Sequence, residues 1–365
     1  MGRAQPSYAP IAQQGFRKDQ RAKQARAIIN KTIPQILNSD AKARQGVANA
    51  ELISSSPASK SRSKKAARRA SRGGDDSSQT SLDQDSASHS LQVRIRVADT
   101  LVVAQDLHKS TKSKKNVAIL NMASPLRPGG GVLNGATSQE ELLCSRTTLL
   151  PSLKEEWYRL PELGGIWSPD VLVFRLHEDN LPKAQRFYVN VISAGMLRFP
   201  DLTDDGDYAS QKDRALVLEK MRSVLQILTE KKADRVVLGA WGCGAYANPV
   251  HEIAQAWKQA LSGDLGSIKE VVFAIKDSRM ARDFAEAWGD EIGVLQDEKG
   301  GTVGESIDED QENAELLQKI ETLESQIKEV KTPMLKESLE GTLRALKLEL
   351  AKADQDASDE DEDEG

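Results

Sequence analysis

The stretch Gln139-Glu140-Glu141 has the strongest claim to chemistry in this 365-residue sequence. Adjacent carboxylates at the start of a helical-looking run, Leu142 to Leu149, can hold and pass a proton. They can equally be favourable charges at the positive end of a helix macrodipole. Their surroundings lift the first use. An apolar strand ending in Asn121 leads into Pro128-Gly129-Gly130-Gly131-Val132-Leu133-Asn134-Gly135, and seven residues separate Gly131 from Gln139. Three consecutive glycines take up positive φ freely and let backbone approach a ligand closely. A diphosphate is a natural occupant of such a loop, because its N–H groups converge on anions. Alone, the triplet reads equally well as a flexible turn.

A second glycine-built loop follows much later, Val237-Leu238-Gly239-Ala240-Trp241-Gly242-Cys243-Gly244-Ala245-Tyr246, then Asn248-Pro249. Gly242 and Gly244 fall between a strand and the helix expected from Pro249, where N–H groups would face a diphosphate. Cys243 reads as a small packed residue, since no neighbouring His or Lys is placed to activate it. His89, His108, His177 and His251 show no HxH or HxxxH spacing, so no metal site is expected. A GxxxxGK[ST] motif is absent from the sequence, which argues against an ATP-hydrolysing P-loop. No cofactor is expected.

The elements that must position these residues are short apolar runs alternating with helical patterns. Val93–Val97, Val117–Met122, Val171–Phe174, Phe187–Ala194, Arg235–Ala240 and Val271–Ile275 read as strands. Thr100–Leu107, Lys212–Lys232 and Pro249–Leu261 read as helices, the second with Ala215, Leu218, Met221, Leu225 and Leu228 on one face. This alternation predicts an α/β core over 91–295, a mixed sheet sandwiched by helices. Ahead of it, residues 1–53 read as a basic helical arm, with a helix over Gln13–Leu37 that Pro34 weakens. Residues 54–90, rich in Ser, Lys, Arg and Asp, read as a disordered insert. Residues 296–353 carry the heptad-spaced positions Leu316, Ile320, Leu323, Ile327 and Val330, then Leu339, Leu343, Leu346 and Leu350 after Pro333. Those two stretches can fold back as a hairpin or support weak self-association.

The net charge of −5 hides a polarity. Residues 1–73 hold 16 Lys/Arg against three acids, and residues 296–365 hold eight against 22. Lys60 to Arg72 has seven bases and no acid, which suits a nuclear import signal, a chromatin or nucleic-acid contact, or a solvated linker. The tail 354–365 carries eight acids and is read first as a solubility tail. The sequence has no apolar run long enough to span a membrane, Met1–Phe16 lacks the core of a secretory signal, and two cysteines cannot make a disulfide scaffold. An intracellular protein follows, with the nucleus favoured over the cytoplasm.

Gly129–Gly131, seven intervening residues and Gln139–Glu141 together resemble the signature of the poly(ADP-ribose) glycohydrolases. The run Val237–Tyr246 with Asn248-Pro249, Ser168–Val171 and Val272–Ile275 resembles the microbial branch of that family. The resemblance implies a macrodomain-like fold and hydrolysis of ribose–ribose O-glycosidic bonds in poly(ADP-ribose), with ADP-ribosylated protein as the wider substrate class. It implies Glu141 as general acid and base and Glu140 and Asn134 as groups orienting the scissile ribose. Gln139 would buttress the loop. Asn121, Gly129, Gly130, Gly131, Gly242, Cys243, Gly244 and Ala245 would line the substrate, and Tyr246 would stack on a ribose or adenine. Asp99 would hold the adenine amine or simply cap the following helix. The turn Ser193–Arg198 departs from the family pattern, which affects one wall of the pocket. Two other readings stay open: a hydrolase of single ADP-ribose units on protein or nucleic acid, and a non-catalytic ADP-ribose reader.

Overall fold

The computed structural model describes residues 9–54, 91–110, 116–176, 179–289 and 292–296, with isolated positions between 320 and 347. The bulk of the expected insert (residues 55–90, including Lys60–Arg72) and the acidic tail lie outside the described residues.

The apolar runs become strands β2 (Gln92–Val97), β3 (Val117–Met122), β4 (Gly164–Val173), β7 (Phe187–Ala194), β8 (Arg235–Leu238) and β9 (Glu270–Ala274). With β1 (Glu51–Ser54) and β10 (Val294–Gln296) they form one mixed sheet in the order β1-β4-β7-β3-β8-β9-β2-β10. From β7 to β10 all pairings are parallel; β4 runs antiparallel to both β7 and β1. Strands β5 (Arg175–Leu176) and β6 (Asp179–Asn180) make a separate two-stranded ladder.

Alternation along β3 explains the layers. Val117 and Ile119 point to one face, where α4 (Thr100–Lys109) and α5 (Gln139–Arg146) cover them with Leu101, Val103, Leu107, Leu143 and Cys144. Ala118 and Leu120 point to the other, under α6 (Gln211–Glu230), α7 (Val250–Leu261) and α8 (Ser278–Trp288). A sheet buried on both faces needs continuous apolar strands, and β9 is buried at every position. Side-chain caps start three of these five covering helices: Asp99 accepts from Leu101 N–H, Ser210 from Lys212 N–H and Asp277 from Met280 N–H.

Three expectations change. The buried stripe of α6 runs through Val217, Met221, Val224, Leu225 and Leu228, while Ala215 is exposed and Leu218 only half-buried. Pro34 does not break the arm. Between α1 (Ala9–Ala27) and α2 (Ile33–Ser39) the backbone opens into a wider π turn over Ile28–Thr32. That extra width just before the proline accommodates its missing N–H and its ring. The arm is also built onto the core. Ile28, Ile33, Ile36 and Ala43 of α1–α3 (α3, Ala41–Ala48) pack on Leu172 and Phe174, Tyr188 donates to Asp40 at 2.7 Å, and β1 extends the sheet edge.

Described positions of both heptad stretches are helical; Ile320, Leu323 and Leu339 are buried, and Lys347 and Glu324 form an ion pair at 2.8 Å within the chain. Among the described residues no helix is long and apolar enough to cross a membrane.

Candidate active site

The connection after β3 runs towards β4 on one side of the sheet, whereas the connection after β8 runs through α7 to β9 on the other. Such a reversal leaves a crevice at the carboxyl ends of the strands, where ligands of α/β sheets bind. Both glycine-built loops arise there.

Gln139 fixes the first turn of α5 to the end of β3. Its Oε1 accepts from Met122 N–H at 2.9 Å, and its Nε2 donates to Leu120 O at 2.8 Å and Thr100 Oγ1 at 3.3 Å. The next two side chains turn into the glycine loop. Glu140 accepts from Ser124 N–H at 2.7 Å and Gly129 N–H at 3.2 Å; Glu141 Oε1 accepts from Gly131 N–H at 2.7 Å. Gly130 N–H donates to Arg127 O. The amides of this loop, expected to face a ligand, are spent here on the protein's own carboxylates and on the Arg127 carbonyl. Gly129 and Gly130 have φ of 67° and 55°, and a Cβ on Gly130 would run into both glutamate side chains.

Burial decides the protonation of this pair. Glu140 is 3% exposed, and loss of solvent pushes its carboxyl up to about 8; the Ser124 and Gly129 amides oppose this and the charge of Glu141 adds to it. Glu141 is also raised by burial, against Gly131 N–H and the Arg127 charge. Burial therefore raises both carboxyls in spite of their position at a helix N-terminus. Asn121 donates to Ser193 Oγ at 3.0 Å, and its buried Oδ1 lacks a partner among the described residues. The Asn121 amide also interacts with Glu140, where it opposes the rise in the pKa of that carboxyl. Glu141 Oε2 is likewise buried without a protein partner.

These shifts have a stability consequence. A carboxyl whose folded-state pKa is raised binds its proton more tightly when folded, so its contribution is fullest below the unfolded value and is lost as pH rises towards about 8. Wild-type protein is expected to lose stability between pH 5 and pH 8.5, and Glu140→Gln to lose several kcal/mol less over the same range, as chemical denaturation at the two pH values would read. Parallel pH profiles of the two proteins would contradict the assignment.

The second loop has the amide geometry the first lacks. Gly242 has φ of 86°, and Cys243 N–H, Ala247 N–H and Asn248 N–H are spent on Ala240, Gly244 and Gly242 carbonyls. The N–H groups of Gly242, Gly244, Ala245 and Tyr246 meet no acceptor among the described residues. A Cβ on Gly244 would meet nothing within 4 Å, so the protein's own packing does not require glycine there. Asn248, buried, ties the loop down: Nδ2 donates to Leu197 O at 2.9 Å and Gly242 O at 3.1 Å, and Oδ1 accepts from the buried Tyr208 hydroxyl at 2.7 Å.

The departing segment after β7 forms a wall against this loop. Phe199 N–H donates to Tyr246 O at 3.0 Å, and the Arg198 guanidinium lies 5.4 Å from the Tyr246 ring centre. Tyr158 closes another side: its phenol is buried without a partner among the described residues, and its pKa is raised by burial and then by the charge of Glu140. Tyr158, Arg198, Phe199 and Ser124 were not legible as site residues, because only tertiary loops bring them here. The composite spacing had marked Glu140, Glu141 and Gln139 correctly as neighbours of the glycines.

Asp99 realises the capping alternative, and its second oxygen pairs with Arg146 at 2.8 Å. Asn134 is exposed at the end of the turn Val132–Asn134. Cys243 is buried and burial raises its thiol pKa, as suits a packed neutral residue. Asp207, His251 and Glu252 come together with ligand atoms within 4.8 Å of one another, which the histidine spacing did not signal. Arg214 already supplies positive charge there, bonding Glu252 at 2.6 Å.

A mixed sheet between helices with two such loops at its carboxyl edge is macrodomain-like in architecture. Residues 54–176 match the family model for the microbial-type PARG catalytic domain, PARG being poly(ADP-ribose) glycohydrolase. That segment contains the glycine loop and Gln139–Glu141 and ends before the second loop. The fold is similar to the poly(ADP-ribose) glycohydrolase of Thermomonospora curvata, at 24% identity and a TM-score of 0.55, over 74% of this chain and 99% of that one. It is similar to that enzyme bound to the inhibitor ADP-HPD, at 22% identity and a TM-score of 0.54, over 73% and 99% of the two chains. The Deinococcus radiodurans poly(ADP-ribose) glycohydrolase in complex with ADP-ribose is similar at 25% identity and a TM-score of 0.50, over 68% and 94%. No match was found among curated protein sequences. The chain thus resembles the microbial-type poly(ADP-ribose) glycohydrolases in its carboxylate-bearing segment and in its fold.

Proposed function

We propose that this protein hydrolyses the ribose–ribose O-glycosidic bond of poly(ADP-ribose) and releases ADP-ribose. The observation that carries the reading is Glu141: one oxygen fixed by Gly131 N–H, the other buried and unpartnered, and the carboxyl held towards its protonated form. A protonated group so placed can give its proton to the leaving ribose oxygen as the anomeric C–O bond breaks and an oxocarbenium-like centre forms. The resulting carboxylate then takes a proton from water as the water oxygen bonds to that carbon, which restores Glu141. Glu140, with its two backbone bonds, holds the loop and orients the ribose hydroxyls. The unspent amides of Gly242 and Gly244–Tyr246 would take the diphosphate and Tyr246 would face a ribose or adenine ring. Asp99 can reach an adenine amine only by sharing its Oδ2 with Arg146.

A mere reader has no use for a proton-bearing carboxyl aimed at the bound sugar, so the buried pair favours an enzyme. Incubation with defined polymer and with singly modified protein, read by mass spectrometry, is expected to give free ADP-ribose from the polymer. Release from the singly modified protein alone would contradict the reading. Chromatin contact through Lys60–Arg72 and pairing of the C-terminal heptads are finer proposals. The solved structures that this chain resembles come from bacteria, which lends nuclear placement no support.

A further inference from the structure

The basic excess of the N-terminal part is not spread at random; much of it lies on the element that braces the glycine loop. Arg21 Nε donates to Gly135 O at 3.0 Å, and a Cβ on Gly135 would strike the Lys18 carbonyl and the Ala22 backbone. Ala22 and Ala25 are buried, Ala25 in the same core as Val132. Helix α1 therefore sits directly beside the turn Val132–Asn134, which follows the Gly129 and Gly131 amides that hold Glu140 and Glu141. Exposed Leu133 and Asn134 lie on that turn.

The outer side of α1 and of the π turn that continues it is strongly cationic. Arg17, Arg21, Lys23, Arg26 and Lys31 are exposed, and Asp19 is the single acid from residue 17 to residue 31. None of these five bases is paired with a carboxylate among the described residues, whereas Arg96, Arg146, Arg214, Lys231 and Arg235 of the core each are. Arg17 and Arg21, four apart, repel each other along the helix, a cost that no carboxylate among the described residues offsets. A polyanion running along this face would reverse its sign.

We propose that this face of α1 is an extended subsite for the diphosphate groups of an ADP-ribose chain beyond the bond being cut. The inference rests on the polymer-cleaving reading above and names how that site selects long chains. The occupant follows from adjacency: a chain leaving Glu141 over Leu133 and Asn134 meets these bases next, and each of its repeats brings a diphosphate. A nucleic acid offers the same charge but has no reason to begin at the glycine loop.

The test neutralises Arg17→Gln, Lys23→Gln, Arg26→Gln and Lys31→Gln together in the full chain and leaves Arg21, which braces Gly135. The ratio of kcat/KM for long chains to that for the two-unit fragment is expected to fall about tenfold, and the log–log salt dependence of long-chain binding to flatten by about 3. Unchanged helicity by circular dichroism controls for folding. An unchanged ratio, including an equal loss on both substrates, overturns the proposal; so does loss of single-stranded DNA binding with the ratio intact. If wild-type protein cleaves neither substrate, the functional reading fails by itself. Long-chain binding measured by fluorescence anisotropy then still decides, and equal affinity of both proteins overturns the subsite.

Discussion

Glu141→Gln is expected to abolish release of ADP-ribose from polymer, by about a thousandfold or more in kcat, while ADP-ribose affinity stays within a few-fold of wild type. The amide keeps the shape of the carboxyl and can still accept from Gly131 N–H through its oxygen, so the loop has no reason to move. What it cannot do is give a proton to the leaving oxygen and then receive one from water. Because one group would act in both steps, no other side chain can rescue the second. Affinity is expected to survive because the diphosphate would depend on the amides of Gly242 and Gly244–Tyr246, not on this carboxyl. Single-turnover product release and isothermal calorimetry on the same variant separate the two effects; full turnover would remove Glu141 from the chemistry.

Gly130→Val is expected to be nearly as damaging for a different reason. The residue holds φ at 55°, which a β-branched side chain adopts only at a cost of roughly 1–3 kcal/mol. Its Cβ would also press on Glu141 Oε1 and lie 3.0 Å from Glu140 Oε2, both carboxyls being fixed by backbone amides on either side of it. Either the loop distorts or the two carboxyls leave their positions. Activity is therefore expected to disappear together with several degrees of melting temperature, whereas ADP-ribose affinity falls less than activity. A variant with wild-type melting temperature and turnover would show that the loop does not hold the glutamates as described. The contrast with Glu141→Gln is informative, since only the glycine change should lower stability.

Much of this arrangement was legible in the sequence because it follows from local rules. Each apolar run from Val93 to Ile275 falls in a strand of the sheet, although β4 starts at Gly164, well before the expected Val171. Strands β1 and β10 escaped notice, being three or four residues long, partly polar and paired only at the sheet edges. The stripe of α6 was misplaced by part of a turn because Ala215 and Leu218 also fit a helical period, and only packing against the sheet chooses between two overlapping stripes. The glycine loop shows a deeper limit. Its composition said that amides would converge, but whether they converge on a ligand or on Glu140 and Glu141 depends on how α5 folds back over it. Tyr158 and Arg198 carry no local signature at all.

The most direct measurement of the central claim is a crystal structure of the Glu141→Gln protein with ADP-ribose. The account predicts the diphosphate against the N–H groups of Gly244, Ala245 and Tyr246, and the anomeric carbon of the distal ribose within about 4 Å of the residue-141 side chain, close enough for proton transfer to its oxygen. A diphosphate seated on Gly129–Gly131 with the residue-141 side chain turned away from the sugar would contradict it.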